Sequence, residues 1–91
     1  MSSRRVVFHS AFRKDVKRLE KRRWDLNKLK EAVTVLSNDD DIPDEYGDHN
    51  LSGNWKGFRD VHLEPDWVLI YKRDNIEVEF ARTGSHSDVF R

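Results

Sequence analysis

The sequence predicts an α+β domain in which a helical hairpin packs on one face of a mainly antiparallel four-stranded sheet. Two observations carry this prediction. Apolar residues recur at helical spacing in the first part of the chain, and three runs rich in aromatic and β-branched residues follow in the second part. Helices grouped at one end and hairpin-connected strands at the other are typical of the α+β class. The expected element order is β-α-α-β-β-β.

The chain is predicted to open with a short strand and a helix. Residues 4–8 are rich in β-branched and aromatic side chains, which favours a strand. Phe12, Val16 and Leu19 then recur at i, i+4 and i+7, which is the spacing of one helix face. Ser10 lies directly before this stripe and is predicted to be the N-cap.

A second helix is predicted after a tight reversal at about residues 23–24. Asp25 is expected to cap it. Its apolar stripe repeats the same helical spacing, in Leu26, Leu29, Val33 and Leu36. Two amphipathic helices joined by so short a turn form an antiparallel hairpin.

The second half of the chain is predicted to contain a loop and then consecutive strands. Residues 37–48 are polar and acidic, with one proline and one glycine, which predicts a loop. Strands are expected at residues 55–63, 67–72 and 77–83, with turns between them. The expected core draws on both halves of the chain, in Phe12, Val16, Leu19, Leu29, Val33, Leu36, Val68, Ile70 and Phe80.

Length and composition limit the class of protein. A chain of 91 residues makes a single domain, 1–91, without room for a second module or a large cofactor pocket. Apolar residues make up 36% and charged residues 37%, as in a soluble globular protein. No stretch approaches the ~20 apolar residues of a membrane span, and the N-terminus lacks the apolar segment of a signal peptide. Because the chain has no cysteine, we expect neither disulfides nor thiolate metal sites, and a cytoplasmic location.

A net charge of zero conceals a strong segregation of charge along the chain. Residues 1–30 carry eleven Lys and Arg residues against three acidic ones, whereas residues 31–54 carry seven acidic residues and no basic one. A group of basic residues on one element can attract nucleic acid even when the whole molecule is neutral. The alternative is a solvated helix face without a partner. We call this group the basic stripe: Arg13, Lys14, Lys17, Arg18, Lys21, Arg22 and Arg23.

Three of the four histidines lie in the second half of the chain together with an aspartate and an arginine, and this set suits the cleavage of RNA without a metal. Such cleavage needs a base for the 2′-hydroxyl proton, a positive group for the charge that develops on the phosphate, and an acid for the departing 5′-oxygen. Each acid or base contributes about 10²–10⁴-fold to the rate. Histidine, with an ordinary pKa of ~6.5, serves as either near neutrality. The residues are His49, His62, Asp66, Arg82 and His86.

Roles can be assigned to these residues from their surroundings in the sequence. His86 is the predicted general acid, because a short glycine-bearing segment after the last strand can present its ring. Asp66 or His62 is the predicted base, and His49 orients or supplements it; the sequence leaves this choice open. Arg82 is predicted to stabilise the transferring phosphoryl oxygens.

Each of these residues also has a purely structural interpretation. A surface histidine is often only solvated, and Asp66 can serve as a turn residue. Trp55 and Trp67 suit the core of so small a domain. Period-two alternation places Arg82 on the core face of its strand, so that it reaches a site only through a β-bulge or at the open end of the sheet. The sequence does not decide between these two.

The ordered motifs of the chain resemble the YafQ branch of the RelE/ParE toxin superfamily. The resemblance covers nearly the whole chain and is densest from His49 to Tyr71. It implies a bacterial toxin of a type II toxin–antitoxin system, a ribosome-dependent mRNA endonuclease that uses no metal or other cofactor and is silenced by a cognate antitoxin. The motifs that carry it are Lys14-Asp15-Val16-Lys17, Leu26-Asn27-Lys28-Leu29, Pro43, Tyr46, Asp48-His49, Leu51, Gly53, Trp55-Lys56-Gly57, Arg59-Asp60, His62, Pro65-Asp66-Trp67, Leu69-Ile70-Tyr71, Arg82-Thr83-Gly84-Ser85-His86 and Phe90.

The resemblance also implies functional residues and partners. The five residues named above become catalytic, and the residues implied to bind substrate are Lys56, Arg59, Trp67 and Phe90. The basic stripe is implied to contact the ribosome and RNA. The implied antitoxin has a ribbon-helix-helix DNA-binding part and a C-terminal segment that folds onto the toxin. The complex is expected to be a heterotetramer or larger, the free toxin a monomer, with no membrane partner. The chain departs from the family in its neutral charge and in Arg91 at its end.

Two rival interpretations remain at this point. Three histidines and an aspartate could bind zinc, but the spacings from His49 to His62 and from His62 to His86 match no compact ligand motif, so we expect no metal site. The other rival is a ParE-like interaction toxin that is directed at gyrase or binds only an antitoxin. Such a module has no need for three histidines and Asp66 together.

Overall fold

The computed structural model describes residues 4–38 and 40–90, within which five strands and three α-helices occur. The strands are β1 (Arg5–Phe8), β2 (His49–Asn50), β3 (Arg59–Glu64), β4 (Trp67–Arg73) and β5 (Glu77–Gly84). The helices are α1 (Ser10–Lys21), α2 (Leu26–Ser37) and α3 (His86–Phe90), and two 3₁₀ turns occupy Asp44–Tyr46 and Gly53–Trp55. In this described part of the chain no helix is long and apolar enough to cross a membrane.

The strands form one mixed sheet in the order β1-β5-β4-β3-β2. β1 runs parallel to β5, and the other neighbouring strands are antiparallel. The predicted α+β class and the mainly antiparallel sheet are therefore confirmed. The prediction of four strands is wrong, because the described residues form five. β2 escapes sequence prediction because two residues in a polar segment are too few to show a period-two pattern.

Side chains fill both faces of the central strand β4, whose successive residues point to opposite sides. On one face, Leu69 and Tyr71 pack against α1 and α2 in the larger buried cluster, as predicted for the helical hairpin. On the other face, Val68 and Ile70 form a smaller cluster with Val89 of α3. The run from Trp67 to Tyr71 is therefore buried throughout, which explains why it shows no polar alternation.

The predicted core is confirmed, with Val16 and Val33 at its margin. Both are partly buried and pack against the larger cluster. The other predicted core residues are buried: Phe12, Leu19, Leu29, Leu36, Val68, Ile70 and Phe80. Large apolar side chains thus supply most of the core of this small domain.

The helical hairpin reverses direction at Arg23, as predicted. Arg23 has a φ of +62°. Its backbone N–H donates to the carbonyl of Glu20 at 3.0 Å, and the N–H of Trp24 donates to the carbonyl of Leu19 at 3.1 Å. These two bonds define a Schellman motif, the ending that usually places glycine at the left-handed position.

One of the two predicted helix caps is confirmed and the other is wrong. The Asp25 carboxylate accepts a hydrogen bond from the backbone N–H of Asn27 at 3.1 Å. Ser10 is instead the first residue of α1, and His9 lies at the cap position without a side-chain cap. The backbone N–H of His9 donates to the carbonyl of Phe80 at 3.0 Å, so the sheet, and not a capping side chain, fixes where α1 begins.

The strand predicted from residue 55 begins only at Arg59. Before it, Gly53–Trp55 forms a 3₁₀ turn and Gly57 has a φ of +94°, so this stretch is not extended. Aromatic residues that look strand-like in the sequence here belong to a turn. Trp55 and Phe58 pack against the smaller cluster.

The loop predicted at residues 37–48 is largely irregular, with two exceptions. α2 continues to Ser37, and the 3₁₀ turn at Asp44–Tyr46 interrupts the rest. Residue 39 of this predicted loop lies outside the described residues.

The short segment after the last strand, which we expected to present His86 as a loop, is instead a helix, because His86 is the first residue of α3. The Ser85 hydroxyl oxygen accepts from the N–H of Asp88 at 3.1 Å, and Asp88 Oδ2 accepts from the N–H of Ser85 at 3.0 Å. This is a reciprocal capping arrangement that starts a helix. The Ser-x-x-Asp spacing is present in the sequence, so this helix could have been predicted.

Candidate active site

Three of the predicted histidines stack on one another at the β2–β3 edge of the sheet. His49 lies in β2, His62 in β3, and His86 at the start of α3. The ring centroids of His49 and His62 are 6.0 Å apart with an interplanar angle of 15°, and those of His62 and His86 are 5.6 Å apart with an angle of 27°. We call these three residues the histidine stack. About half of the His49 and His86 side chains is exposed, so a substrate can reach them.

Asp66, in the turn between β3 and β4, fixes the ring of His86. Its Oδ1 accepts from the ring Nδ1 of His86 at 2.7 Å and from the backbone N–H of the same residue at 2.9 Å. The backbone hydrogen bond, and then the ring, hold the pKa of Asp66 below its usual value. Because Nδ1 is engaged by a carboxylate, the other ring nitrogen of His86 is the one available for proton transfer.

A buried carboxylate that sequence reasoning does not select lies beside the stack. Asp60 is 3% exposed and is the cross-strand partner of His49. The His49 Nδ1 lies 3.0 Å from Asp60 Oδ1 but donates to the carbonyl of Gly47 at 2.9 Å, so the carboxylate oxygen is close to the ring without an aligned hydrogen bond. Burial raises the pKa of Asp60, and the charges of the three histidines oppose this shift.

A signal for Asp60 is nevertheless present in the sequence. Asp60 and His62 are two residues apart, and such residues point to the same face of a strand. A strand carrying a carboxylate and a histidine on one face places a negative charge next to the ring.

Of the two aromatic residues predicted to bind substrate, the structure brings only Phe90 to the stack. Its ring centroid is 6.0 Å from that of His86, and 40% of the residue is exposed. Trp67 is 1% exposed, donates from its indole N–H to the hydroxyl of Thr83 at 2.9 Å, and packs edge-on against Trp24 at 5.0 Å. It therefore supports the core, which is the structural alternative for this residue, and has no face open to a substrate.

Arg82 leaves the core face of β5 through a β-bulge. Ile70 pairs with Arg82 but the next residue, Tyr71, pairs with Phe80, so Ala81 is an extra residue in β5. β1 ends opposite Phe80, and beyond that point β5 has an open edge. Both explanations that the sequence leaves open for the placement of Arg82 therefore occur together.

Asp15 of α1 holds Arg82 at this open edge. Its side chain is 2% exposed. Oδ2 accepts from Arg82 Nε at 2.7 Å and from the N–H of Thr83 at 3.0 Å, while Oδ1 accepts from Arg82 Nη2 at 3.1 Å and from Arg18 Nη2 at 2.8 Å. We call these four residues the Asp15 network. Arg82 Nη2 also donates to the carbonyl of Asp88 at 3.2 Å, which links the network to α3, the helix of His86.

Gly84 lies where the Asp15 network meets α3. Its φ is +150°, and an added Cβ would lie 2.9 Å from Asp88 Oδ2 and 3.1 Å from Arg18 Nη2. Both the backbone conformation and the space therefore favour glycine at this position. The close approach brings the end of β5 against α3 and so helps to place His86.

The two remaining residues predicted to bind substrate are Arg59, which is held in an ion pair, and Lys56, which has no polar partner among the described residues. Arg59 forms a two-pronged ion pair with Asp48, at 2.8 and 3.1 Å, and Asp48 also accepts from the Tyr71 hydroxyl. Burial acts to raise the pKa of Asp48, but these bonds outweigh it and lower the pKa. Lys56 is exposed, and its side chain forms no hydrogen bond or ion pair within residues 4–38 and 40–90.

The basic stripe divides into engaged arginines and available lysines. Arg18 binds Asp15, Arg22 forms an ion pair with Asp88 at 2.8 Å, and Arg13 lies 5.7 Å above the ring of Phe8. Three exposed lysines of α1 make no side-chain hydrogen bond or ion pair with any described residue: Lys14, Lys17 and Lys21. Arg23 closes the hairpin turn.

No group of three or more metal-ligating side chains is arranged to hold an ion within residues 4–38 and 40–90. The rings of the histidine stack lie roughly parallel, whereas ligands that share one ion must converge on it. The arrangement instead suits proton transfer, with half-exposed histidine side chains next to carboxylates.

Comparison with known proteins places the chain in a family. The sequence profile of the family described as "Bacterial toxin of type II toxin-antitoxin system, YafQ" matches residues 4–91. The mRNA interferase toxin YafQ of Escherichia coli strain K12 is 46% identical over 99% of both chains. The chain belongs to the YafQ toxin family.

Solved YafQ structures share the fold. The crystal structure of YafQ from E. coli strain BL21(DE3) superposes with a TM-score of 0.92 at 45% identity, over 97% of this chain and 99% of that one. YafQ in the crystal structure of the E. coli DinJ-YafQ toxin–antitoxin complex superposes with a TM-score of 0.91 at 45% identity, over 99% and 100%. The predicted family and the RelE-like fold are therefore confirmed.

Proposed function

We propose that this chain is an mRNA interferase, an endoribonuclease that cleaves mRNA on the ribosome and so inhibits translation and growth. Its membership of the YafQ toxin family supports the activity, and one observation supports the chemistry. The histidine stack presents rings from three separate elements at an exposed edge, with Asp66 holding the ring of His86. A fold that served only as a binding module would gain nothing from this arrangement.

The proposed reaction needs no cofactor. The 2′-oxygen of the substrate attacks phosphorus, the bond from phosphorus to the 5′-oxygen breaks, and a cyclic phosphate and a free 5′-hydroxyl result. One group must take the 2′-hydroxyl proton and another must give a proton to the 5′-oxygen. A neutral histidine can take the first proton, and a charged histidine can give the second.

His86 is the proposed general acid and Asp66 its positioning residue. Asp66 binds Nδ1, which fixes the orientation of the ring. His62, in the middle of the stack and with His49 beside it, is the proposed base. Asp60 places a buried negative charge next to His49, which compensates the positive charge that the stack gains in the reaction.

Arg82 is proposed to stabilise the charge on the phosphate. Nε and Nη2 are held by Asp15 and the carbonyl of Asp88, which fixes the plane of the guanidinium. A quarter of the side chain remains exposed, and Nη1 has no partner among the described residues. A guanidinium that is fixed in advance loses little entropy when it binds an oxyanion.

The proposed partners are the ribosome with its mRNA and a cognate antitoxin. Lys14, Lys17 and Lys21 supply the cations for ribosomal RNA, and action on the ribosome implies a cytoplasmic location. The solved DinJ-YafQ complex supports an antitoxin of the same kind. We expect a ribbon-helix-helix protein whose C-terminal segment folds onto this toxin, in a heterotetramer or larger complex.

Mapping of cleavage sites by primer extension on a translated mRNA, with and without ribosomes, tests the activity. We expect cleavage only with ribosomes and without added metal. Growth inhibition without any mRNA cleavage would instead favour a ParE-like interaction toxin. Metal-dependent cutting of naked RNA at the same rate would contradict the proposed mechanism.

Charge reversal tests the ribosome contact. The triple variant Lys14→Glu, Lys17→Glu and Lys21→Glu removes the available cations but leaves the arginines of the Asp15 network and the histidine stack in place. We expect it to lose ribosome binding in co-sedimentation, and the salt dependence of wild-type binding to steepen by roughly 0.7–0.9 in log–log slope per phosphate contacted. Lys30→Glu on α2 is the matched control. Undiminished binding of the triple variant would show that α1 is a solvated face.

A further inference from the structure

A cavity of about 440 Å³ adjoins the histidine stack and shares His62 with it. It lies between α2, the 3₁₀ turn at Asp44–Tyr46 and the end of β3. β2 pairs with β3 at Arg59 and Asp60, and His62, further along β3, lines the cavity. A volume of this size is within the range of ~300–1,000 Å³ that small-molecule sites occupy.

The lining of the cavity combines an aromatic ring with carboxylates. Tyr46 is partly buried, and Glu31 and Glu45 line the same cavity. Burial raises the pKa of Tyr46, and the charges of these two carboxylates raise it further. Neither glutamate side chain forms a hydrogen bond or ion pair within residues 4–38 and 40–90. Glu64, by contrast, is paired with Lys28 at 2.7 Å. Two hydrogen-bond acceptors are therefore available beside an aromatic face.

The chemistry of this lining selects one part of a nucleotide. Carboxylates repel phosphate, so the RNA backbone is excluded from the cavity and stays at the histidines. A base carries no charge, can stack on Tyr46, and can donate N–H groups to Glu31 and Glu45. The cleaved phosphate lies at the histidine stack, and His62 belongs to both the stack and the cavity. The bases of the two nucleosides joined by that phosphate are therefore close to the cavity. The substrate itself therefore delivers a base to this position.

We propose that the cavity is a nucleobase subsite for a nucleotide next to the cleaved phosphate, in which Tyr46 stacks on the base and Glu31 and Glu45 read its Watson–Crick edge. This inference rests on the proposed function and adds to it a source of sequence preference. It makes Glu31 and Glu45 specificity-determining residues.

The two carboxylates should bind the four bases with different affinities, because the bases present different N–H groups. Guanine presents N1–H and N2–H₂ side by side, which matches the two oxygens of one carboxylate. Adenine and cytosine each present one amino group beside an acceptor nitrogen. Uracil presents a single N3–H between two carbonyl oxygens, which repel a carboxylate. Since a good two-point contact to a base discriminates by about 1–3 kcal/mol, guanine sites should be cut roughly 5- to 150-fold faster than uracil sites.

Cleavage of a matched set of translated mRNAs tests the subsite. The set carries each of the four bases on either side of one cleavage site, and primer extension measures the relative rate at each. The variants are Glu31→Gln and Glu45→Gln, because an amide keeps the shape, removes the charge and can donate to uracil. Glu20→Gln on α1, whose side chain makes no hydrogen bond or ion pair with a described residue, is the control. All three positions are exposed, so folding should be retained.

The wild type and Glu20→Gln should prefer guanine over uracil on one side of the cleavage site, and this preference should fall at least fivefold in Glu31→Gln or Glu45→Gln. Cleavage with an unchanged base profile in both variants would overturn the subsite and leave the proposed function standing. If the base profile of cleavage is unchanged but the variants bind the antitoxin more weakly, the subsite would also be overturned. That result would indicate that a cationic side chain of the antitoxin occupies the cavity. Absence of cleavage by the wild type at every site would remove the proposed function, and the subsite with it.

Discussion

Asp15 and Asp66 each hold neighbouring side chains in place, and they do so in opposite surroundings. Asp15 is 2% exposed and accepts four hydrogen bonds, from Arg18, Arg82 and the backbone of Thr83. The Asp66 side chain is 71% exposed and accepts two hydrogen bonds, both from His86. The buried carboxylate has its oxygens fully used by protein donors, whereas the exposed one leaves an oxygen to solvent.

This difference separates a structural role from a chemical one. A buried charge is tolerated only when hydrogen bonds replace its lost hydration, so the Asp15 network must remain intact for the fold to persist. An exposed aspartate–histidine pair contributes little to stability, because water screens it. The same exposure lets the pair exchange protons with a substrate. Substitutions in the two regions should therefore affect different measured quantities.

The largest expected effect is on cleavage by His86→Ala. Loss of a general acid should lower the rate of ribosome-dependent mRNA cleavage by about 10²–10⁴-fold. The melting temperature should barely move, because an exposed residue of this kind usually changes stability by no more than ~0.5 kcal/mol. Primer extension and thermal unfolding measure the two effects. Wild-type cleavage by this variant would exclude His86 as the acid.

The next largest effect is on the stability of Asp15→Ala. Removing this carboxylate leaves Arg82 and the N–H of Thr83 without their partner, which should cost about 3–5 kcal/mol in the free energy of unfolding. Urea denaturation measures it. Lys14→Ala, at the adjacent exposed position, is the control and should change stability by less than ~0.5 kcal/mol. Equal effects of the two substitutions would show that the Asp15 network does not hold the fold.

A smaller effect should appear in the pH dependence of stability. The pKa of Asp88 is held well below its ordinary value, chiefly by the hydrogen bonds from the Arg22 guanidinium. Burial opposes this shift, and the bonds from Ser85 add to it. A carboxylate with a lowered folded-state pKa stabilises the fold above its ordinary pKa, and the contribution is lost as the pH falls through the folded-state pKa. The stability difference between wild type and Asp88→Asn should thus be largest near neutral pH and shrink below about pH 4.

The same measurement on Asp66→Asn compares an exposed carboxylate with the less exposed Asp88. The pKa of Asp66 is also lowered, but its exposure leaves the pair with His86 open to solvent. We therefore expect a weaker pH-dependent loss of stability than in Asp88→Asn. Denaturation midpoints measured from pH 3 to pH 7 for the two variants would show the difference. A greater loss for Asp66→Asn would reverse the assignment of the two regions.

The fold was predictable where the helices and strands are long and their apolar residues form a regular pattern. The stripes of α1 and α2 and the runs of β4 and β5 exceed the length at which periodicity is visible. β2, with two residues, and α3, with five, are below it. The bulge at Ala81 follows from the pairing of β5 with β4 and from the open edge beyond β1, which are tertiary facts.

The candidate site divides in the same way. The structure brings His49, His62, Asp66 and His86 together as the sequence predicts, although their catalytic roles stay predictions. Sequence reasoning misses Asp15 because nothing in the sequence distinguishes this buried aspartate from the many exposed ones. It also misses Asp60, although the two-residue spacing from His62 is a signal for it. Trp67 illustrates the converse. Its position in a motif suggests a binding residue, while its burial assigns it to the core.

The smallest expected effect lies outside both regions, at the turn of the helical hairpin. Arg23 adopts a φ of +62° in the Schellman motif, a conformation that glycine adopts without steric cost. Arg23→Gly should therefore change the free energy of unfolding by less than about 1 kcal/mol, in the stabilising direction, because relief of the backbone outweighs the added freedom of the unfolded chain. Lys21→Gly, in the last turn of α1 and without a side-chain hydrogen bond or ion pair to a described residue, is the control and should destabilise. Urea denaturation measures both. A destabilising Arg23→Gly would show that the arginine side chain holds the turn, and would extend the structural region from the Asp15 network to the hairpin.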